Sequence, residues 1–179
     1  RYKVTLPCSF MLVAAMNPCP CGYYNDPSHE CTCTPAQVQR YLSRISGPLL
    51  DRIDLQVEVV PVPVKELTNA PEGEPSANIR ARVVAARERQ RERFANCPGV
   101  HCNAQMSARQ LQELVQLVEA AQDALSMALD RLGLSARAYE RVLKVARTIA
   151  DLDGSDKVQR QHIAEAVSYR NLDRSTWGT

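Results

Sequence analysis

Four cysteines lie within fifteen residues of this chain: Cys19, Cys21, Cys31 and Cys33. They form two Cys-x-Cys pairs with nine residues between them. Four thiolates are a ligand set that suits tetrahedral Zn²⁺. The loop between the pairs is polar and has no apolar core of its own, so a metal would hold it together. The spacing therefore predicts a zinc site.

Other readings of these cysteines stay open. Structural zinc sites usually place two or more residues between paired cysteines, so His29 or Cys8 could replace one of the four. Reduced thiols without metal are the main alternative. A disulfide comes third, because no signal peptide opens the chain and we expect a cytoplasmic protein. A further cluster of Cys97, His101 and Cys102 is either a second metal pair or an ordinary loop.

Asn17 and Arg52 stand at positions suited to phosphate chemistry. Asn17 follows an apolar run, residues 10–16, and a short amide at a strand end can orient a water molecule without adding charge. Alone, an Asn before Pro is a turn former. A guanidinium such as that of Arg52 stabilises the charge that develops in phosphoryl transfer. The alternative for Arg52 is an ion pair with Asp51 or Asp54, of little energetic value.

Arg137 lies in the first turn of an expected helix. A cation there is mildly unfavourable against the helix dipole, and a locally unfavourable residue suggests a functional reason. Arg141 and Arg147 follow on the same helix and are expected on the surface or in salt bridges.

A basic helix is expected at residues 78–94. It carries six arginines against two glutamates. Contact with DNA phosphates and a solvated helix with internal Arg–Glu pairs are equally good interpretations. The arginines are Arg80, Arg82, Arg87, Arg89, Arg91 and Arg93.

The remaining helices and strands are predicted from the spacing of apolar residues and from residues that cap or end helices. Continuous or alternating apolar residues predict strands at residues 9–15 and 53–60. Helices are expected at 36–45 after the cap Thr34, at 108–118 after Ser107, at 119–132 before the C′ residue Gly133, from the cap Ser135 to about 152, and from the cap Asp156 to about 169. The helix after Ser135 has an apolar stripe of Tyr139, Val142, Leu143, Ala146, Ile149 and Ala150. His162 in the last helix is expected to be a packing or a surface residue. No apolar run is long enough for a membrane span. The net charge of +2 does not by itself indicate a nucleic-acid partner.

Several long strings resemble one known family. The segments A-A-M-N-P, C-P-C-G, C-T-C-T-P-A-Q, S-G-P-L-L-D-R-I-D-L and L-S-A-R-A-Y-E-R-V-L-K-V-A-R-T-I-A-D-L are similar to the magnesium-chelatase-like AAA+ ATPases of the competence-associated branch. The resemblance implies that Asn17 is sensor 1, that Arg52 is an arginine finger acting on a neighbouring subunit, and that Arg137 is sensor 2. It also implies a homo-oligomer, expected to be a hexameric ring, with ATP and Mg²⁺ as cofactors.

The same resemblance implies the fold and the function. Residues 1–60 would be an α/β remnant of the AAA+ core with a Cys-rich loop at 17–35. Residues 61–77 would be a linker and residues 78–179 an all-α lid. The chain contains no G-x-x-x-x-G-K-[ST] loop, and an acidic Walker B strand is also absent. It is therefore expected to be the C-terminal part of a longer ATPase that remodels or translocates DNA during natural transformation. The alternatives are a chelatase-type motor acting on a protein partner and a zinc-stapled, non-enzymatic interaction module.

Overall fold

The computed structural model describes residues 3–5, 10–59, 62 and 73–170. The chain forms two compact units that divide between Arg44 and Ile45. The described residues hold seven α-helices and one 3₁₀ helix. These are α1 (Pro35–Leu42), α2 (Gly47–Leu50), α3 (Ser76–Arg93), the 3₁₀ helix (Asn103–Gln105), α4 (Ala108–Leu114), α5 (Glu119–Leu132), α6 (Ala136–Leu152) and α7 (Arg160–Ser168).

The first unit consists of an extended segment, the Cys-rich loop and α1. Helix α1 begins as predicted, with a reciprocal capping box: the Gln37 backbone N–H donates to Thr34 Oγ1 at 3.3 Å, and the Thr34 N–H donates to Gln37 Oε1 at 2.8 Å. It ends at Leu42, three residues before the expected Ile45. There the hydroxyl of Ser43 donates to the Arg40 carbonyl at 3.0 Å, a local bond that competes with helix continuation.

The two expected strands are not formed in the described parts of their segments. Residues 10–16 and 53–59 form neither helix nor strand. A strand needs the backbone groups of a neighbouring strand, and alternation alone does not supply them. Phe10 and Met11 are consequently 74% and 86% exposed. Most of the expected linker, residues 61–77, lies outside the described residues, and α3 already begins at Ser76.

The second unit is built around α6. Four residues of its predicted apolar stripe are buried, namely Val142, Leu143, Ala146 and Ala150, whereas Tyr139 is 39% exposed. Helices α3, α5 and α7 supply further core residues, among them Phe94, Leu125 and Ile163. The expected C′ glycine, Gly133, ends α5 with φ of 56°, a left-handed conformation that glycine adopts without strain.

Helix α4 starts at its predicted cap but ends early. Ser107 and Gln110 form the expected capping box, yet the helix ends at Leu114 and not at Val118. Val115 is extended with φ −102° and ψ 101°. Leu117 forms an isolated parallel bridge with Val158, so a tertiary backbone pairing replaces the last turn of the helix.

The last helix begins three residues later than expected. Asp156 does not cap it; its carboxylate accepts a hydrogen bond from Arg89 Nη1 at 3.0 Å. The cap is Gln159, whose backbone N–H donates to Nδ1 of His162 at 3.0 Å. His162 is 2% exposed, and its Nε2 lies 3.1 Å from Asp153. His162 was expected to be a packing or a surface residue, and its burial fits the first of these.

A buried charge cluster joins α3, α6 and the 3₁₀ helix. Asp151 accepts two bonds from Arg93, at 2.5 and 2.8 Å, and one from Arg147 Nε at 3.1 Å. Asn103 Nδ2 adds a fourth at 2.8 Å. Burial alone would raise the pKa of Asp151, but the hydrogen bonds from Arg93 and Asn103 and the charge of Arg147 outweigh it and hold that pKa below its usual range. The carboxylate is therefore charged at neutral pH.

We expect Asp151→Asn to lower the free energy of unfolding at pH 7 by about 3–5 kcal/mol, because two buried guanidiniums lose their counter-charge. Since the folded pKa is depressed, the contribution of Asp151 is complete above the unfolded value of about 3.9 and is lost as the pH falls through the folded pKa. Urea unfolding followed by circular dichroism at pH 7 and at pH 3 measures both effects. Asp130→Asn, at an exposed site on α5, is the control. Equal losses for the two variants would contradict the prediction.

Candidate functional site

The four predicted cysteines come together in the first unit. Their Sγ atoms all lie within 4.8 Å of one another. Cys19 Sγ is 3.3 Å from Cys21 and 3.8 Å from Cys31, and Cys21 is 3.5 Å from Cys31. Thiolates bound to Zn²⁺ at about 2.3 Å would be about 3.8 Å apart in a tetrahedron. The separations therefore fit a Cys₄ zinc site, and Cys19 is fully buried at its centre.

The electrostatics of the cluster distinguish its members. The backbone N–H of Tyr23 and the thiol of Cys19 stabilise the thiolate of Cys21 and lower its pKa to about 5. The Cys33 backbone N–H also favours the thiolate of Cys31. Desolvation and hydrogen bonds to the neighbouring sulfurs outweigh that effect and raise the pKa of Cys31 to about 12. Crowded thiolates repel each other, and a divalent cation would remove that repulsion.

The loop between the Cys pairs is held by tight turns. The Gly22 N–H donates to the Cys19 carbonyl at 3.1 Å, and Gly22 has φ of 90°, which favours glycine. Asp26 Oδ1 accepts the backbone N–H of Ser28 at 2.7 Å. The ring of His29 stacks on Tyr23 with centroids 4.8 Å apart. His29 therefore packs within the loop and is not a member of the ligand cluster. Cys8 lies outside the described residues.

Asn17 is exposed and lies two residues before Cys19. A Cβ built on Gly22 would be 3.8 Å from Asn17 Nδ2, so the amide lies against the turn that carries Cys21. Its role as sensor 1 stays a prediction.

Arg52 is exposed at the end of α2. Its Nη1 donates to the carbonyl of Pro48 at 2.8 Å. The two neighbouring carboxylates that could have paired with it have other partners. The Ser135 hydroxyl donates to Asp51 Oδ2 at 3.3 Å, and Arg141 Nη1 donates to Asp54 Oδ1 at 2.6 Å. The guanidinium of Arg52 can thus leave Pro48 without breaking an ion pair.

Arg137 is exposed at the second position of α6. The cap Ser135 precedes it by two residues and contacts Asp51, the residue before Arg52. The structure therefore brings Arg52 and Arg137 to one region of the helical unit, whereas Asn17 belongs to the other unit. Whether these three residues contact nucleotide stays a prediction.

The arginines of α3 divide into two groups. Three are drawn toward partners outside the helix: Arg82 to Glu74 at 2.8 Å, Arg89 to Asp156, and Arg93 to Asp151. The others, Arg80, Arg87 and Arg91, are exposed. Spacings of seven and four residues place these three on one face, where Arg91 pairs with Glu88 and Arg87 bonds Gln90. This face presents three exposed arginines to a polyanion.

Cys97 and Cys102 do not join a metal cluster. Within residues 73–170, no group of three metal-binding side chains was found around them. Cys97 packs partly buried against the apolar core, and His101 is exposed.

Sequence reasoning missed the partners of the Arg52 segment. Arg141 and Arg147 do form salt bridges, as expected, with Asp54 and Asp151. The pairing of Asp51 with Ser135 and of Asp54 with Arg141 spans more than eighty residues. The only local signal was two acids flanking Arg52.

Comparison with protein families defines the class. The sequence-family model of magnesium chelatase, subunit ChlI, matches residues 1–67. The sequence-family model of the C-terminal region of that subunit matches residues 73–170. The second match alone covers more than half of the chain. The chain belongs to the magnesium chelatase ChlI family.

Individual relatives are similar along almost the whole chain. YifB of Escherichia coli K12 is 48% identical over 176 residues, which are 97% of this chain and 33% of that protein. Competence protein ComM of Haemophilus influenzae is 44% identical over 173 residues, 96% of this chain and 33% of ComM. Rv2897c of Mycobacterium tuberculosis is 40% identical over 164 residues, 92% of this chain and 32% of the relative. The chain thus spans about a third of the length of these relatives.

None of the helices in the described ranges combines the length and apolar character needed to cross a membrane.

Proposed function

We propose that this chain is the C-terminal part of a AAA+ ATPase subunit that works in a ring on DNA in the cytoplasm. The observation that carries the proposal is the placement of Arg52 and Arg137. Both are exposed, and the hydrogen bond between Asp51 and Ser135 holds their segments together. Two guanidiniums free to reach outward suit a triphosphate, whose charge grows on its terminal oxygens during transfer.

The three residues have separate roles in this proposal. Arg52 stabilises the developing charge on a neighbouring subunit's ATP as an arginine finger. Arg137 contacts the terminal phosphate from the helical unit as sensor 2. Asn17 orients the attacking water as sensor 1. Bound Mg²⁺ would neutralise phosphate charge, and each of these residues adds orientation or further charge stabilisation.

The extended apolar segments have a place in the same proposal. Residues 10–16 and 53–59 would act as strands of an α/β core, with partners from the rest of the longer protein. The high exposure of Phe10, Met11 and Val13, between 74% and 86%, supports this, because a contiguous exposed apolar surface usually marks an interface.

DNA is the proposed substrate of the motor. The similarity to a protein named for competence supports this choice, as does the face of α3 formed by Arg80, Arg87 and Arg91. Contacts between these arginines and DNA phosphates would give binding that falls with salt and does not depend on base sequence.

The test is ATP hydrolysis and DNA binding by the full-length protein. We expect duplex DNA to stimulate hydrolysis, and the triple variant R80A/R87A/R91A to bind DNA more weakly, with a salt slope reduced by about one unit for each lost contact. The matched control is R109A/R131A/R160A, which removes three exposed arginines elsewhere. Stimulation and salt slope equal to those of the wild type would exclude α3 as the DNA contact.

The chelatase-type motor is the second candidate, and the match to the ChlI models favours it. ATP hydrolysis that a protein partner stimulates and DNA does not would support this alternative. Complete absence of ATP hydrolysis would favour the third candidate, an interaction module held together by zinc at the four clustered thiols.

A further inference from the structure

The segment that carries Arg52, residues 51–56, is attached to α6 at two points. The Ser135 hydroxyl at the cap of α6 donates to Asp51 Oδ2 at 3.3 Å, and Arg141 in the second turn donates to Asp54 Oδ1 at 2.6 Å. The side chains of Asp54 and Arg141 are 43% and 30% exposed. The two contacts bracket Arg52 on both sides.

The same segment is attached to the end of α7. The backbone N–H of Gln56 donates to the Tyr169 carbonyl at 2.9 Å. Arg170 Nη1 donates to the carbonyl of Ile53, also at 2.9 Å. Arg170 and Gln56 are 1% and 8% exposed, so both hydrogen bonds are shielded from water. The amide proton of Gln56 should therefore exchange with solvent only when the segment detaches.

Residues 53–59 have no regular secondary structure of their own, and the division between the two units falls at Arg44 and Ile45. The segment therefore belongs to the helical unit. Its conformation depends on the four long-range contacts and on the short helix α2.

We propose that Asp54 and Arg141, together with Asp51 and Ser135, are positioning residues that fix Arg52 to the first two turns of α6. These contacts then keep Arg52 at a fixed position relative to Arg137. The inference rests on the proposed function, since it assigns a supporting structure to the proposed arginine finger.

The size of the expected rate loss depends on how precisely Arg52 is placed. A catalytic group misplaced by about 1 Å can cost about 100-fold in rate, whereas the removal of an arginine finger costs about 10³–10⁵-fold. Loss of the Asp54–Arg141 pair should loosen Arg52 without removing it. Its effect should be smaller than that of deleting the guanidinium.

The experiment compares Asp54→Arg, Arg141→Asp and the double variant D54R/R141D in the full-length protein. Hydrogen exchange of residues 53–56 reports the attachment directly, and steady-state ATP turnover reports its consequence. We expect each single variant to raise exchange in this segment and to lower turnover about tenfold. The double variant, with the pair reversed, should restore most of both.

The control is R109E/E113R, which reverses an exposed ion pair on α4 and should change neither readout. Unchanged exchange in both single variants would overturn the attachment. Raised exchange with unchanged turnover, in a protein whose turnover depends on Arg52, would overturn the positioning role alone. Unchanged turnover in Arg52→Ala would instead overturn the proposed function. The exchange data would still report whether the segment is attached.

Discussion

Arg52→Ala in the full-length protein should lower ATP turnover by about 10³–10⁵-fold while the protein stays folded. The side chain is exposed, and its guanidinium donates to the Pro48 carbonyl at 2.8 Å. Removing it therefore takes little from the stability of the helical unit. Phosphate release at saturating ATP measures the loss, and Arg131→Ala on the exposed face of α5 is the control.

Two further variants make this prediction specific. Arg52→Lys should recover only a small part of the rate, because an ammonium lacks the planar fork that spans two phosphate oxygens. Rings mixed from Arg52→Ala subunits and subunits whose own nucleotide site is inactivated should regain ATP turnover, because the second kind of subunit supplies the finger to the intact site of the first. No recovery in these mixed rings would contradict action in trans, and full activity of Arg52→Ala rings would remove Arg52 from catalysis.

Elements with local signals could be predicted from the sequence. Thr34 with Gln37, and Ser107 with Gln110, encode their capping boxes within four residues. The stripe of α6 predicted a buried face, and Gly133 predicted the end of α5. Each signal depends on residues that the backbone places next to one another, so no knowledge of the tertiary fold was needed.

Features that depend on distant partners could not be predicted in this way. The early end of α4 follows from backbone pairing with Val158, which lies more than forty residues further on. The start of α7 depends on a box of Gln159 and His162, residue types that are seldom used as caps. The apolar patterns at 9–15 and 53–60 are typical of strands. A pattern within one segment, however, does not provide the neighbouring strand with which that segment must pair.

The candidate site shows the same division. Four cysteines in fifteen residues predicted their own proximity, because a short polar loop can fold back on itself. The function of the α3 arginines could not be resolved, because Arg89 and Arg93 are engaged by Asp156 and Asp151, acids about sixty residues away. Composition gave six equivalent cations, whereas the structure leaves three on one solvent-facing side.

Removal of the metal is the second change with a large expected effect. The loop of residues 17–34 has little apolar core, and the binding of a structural Zn²⁺ contributes about 10–16 kcal/mol in zinc-finger peptides at pH 7. We expect one Zn²⁺ per chain by elemental analysis, and complete loss of it in Cys19→Ser, whose thiol is the buried member of the cluster. Co²⁺ in its place should give the absorption spectrum of a tetrahedral thiolate site.

The structural consequence should be confined to one unit. Chelation should expose residues 17–34 to proteolysis and leave the helices from 76 to 168 protected, because the helical unit has its own core. The double variant C97S/C102S changes two thiols outside the cluster and should retain the metal. Equal metal content in Cys19→Ser and in the wild type would contradict the Cys₄ assignment.

Loss of the metal should also affect Asn17, because its amide lies against Gly22, whose N–H closes the turn that begins at Cys19. If Asn17 orients the attacking water, the apoprotein should turn over ATP more slowly with little change in its affinity for ATP, since a misplaced water affects the transition state more than binding. Adding Zn²⁺ back should restore the rate in the wild type and not in Cys19→Ser. A metal-free protein with an intact loop and full turnover would show that the loop does not need a metal at the four thiols. It would also show that such a metal does not support Asn17.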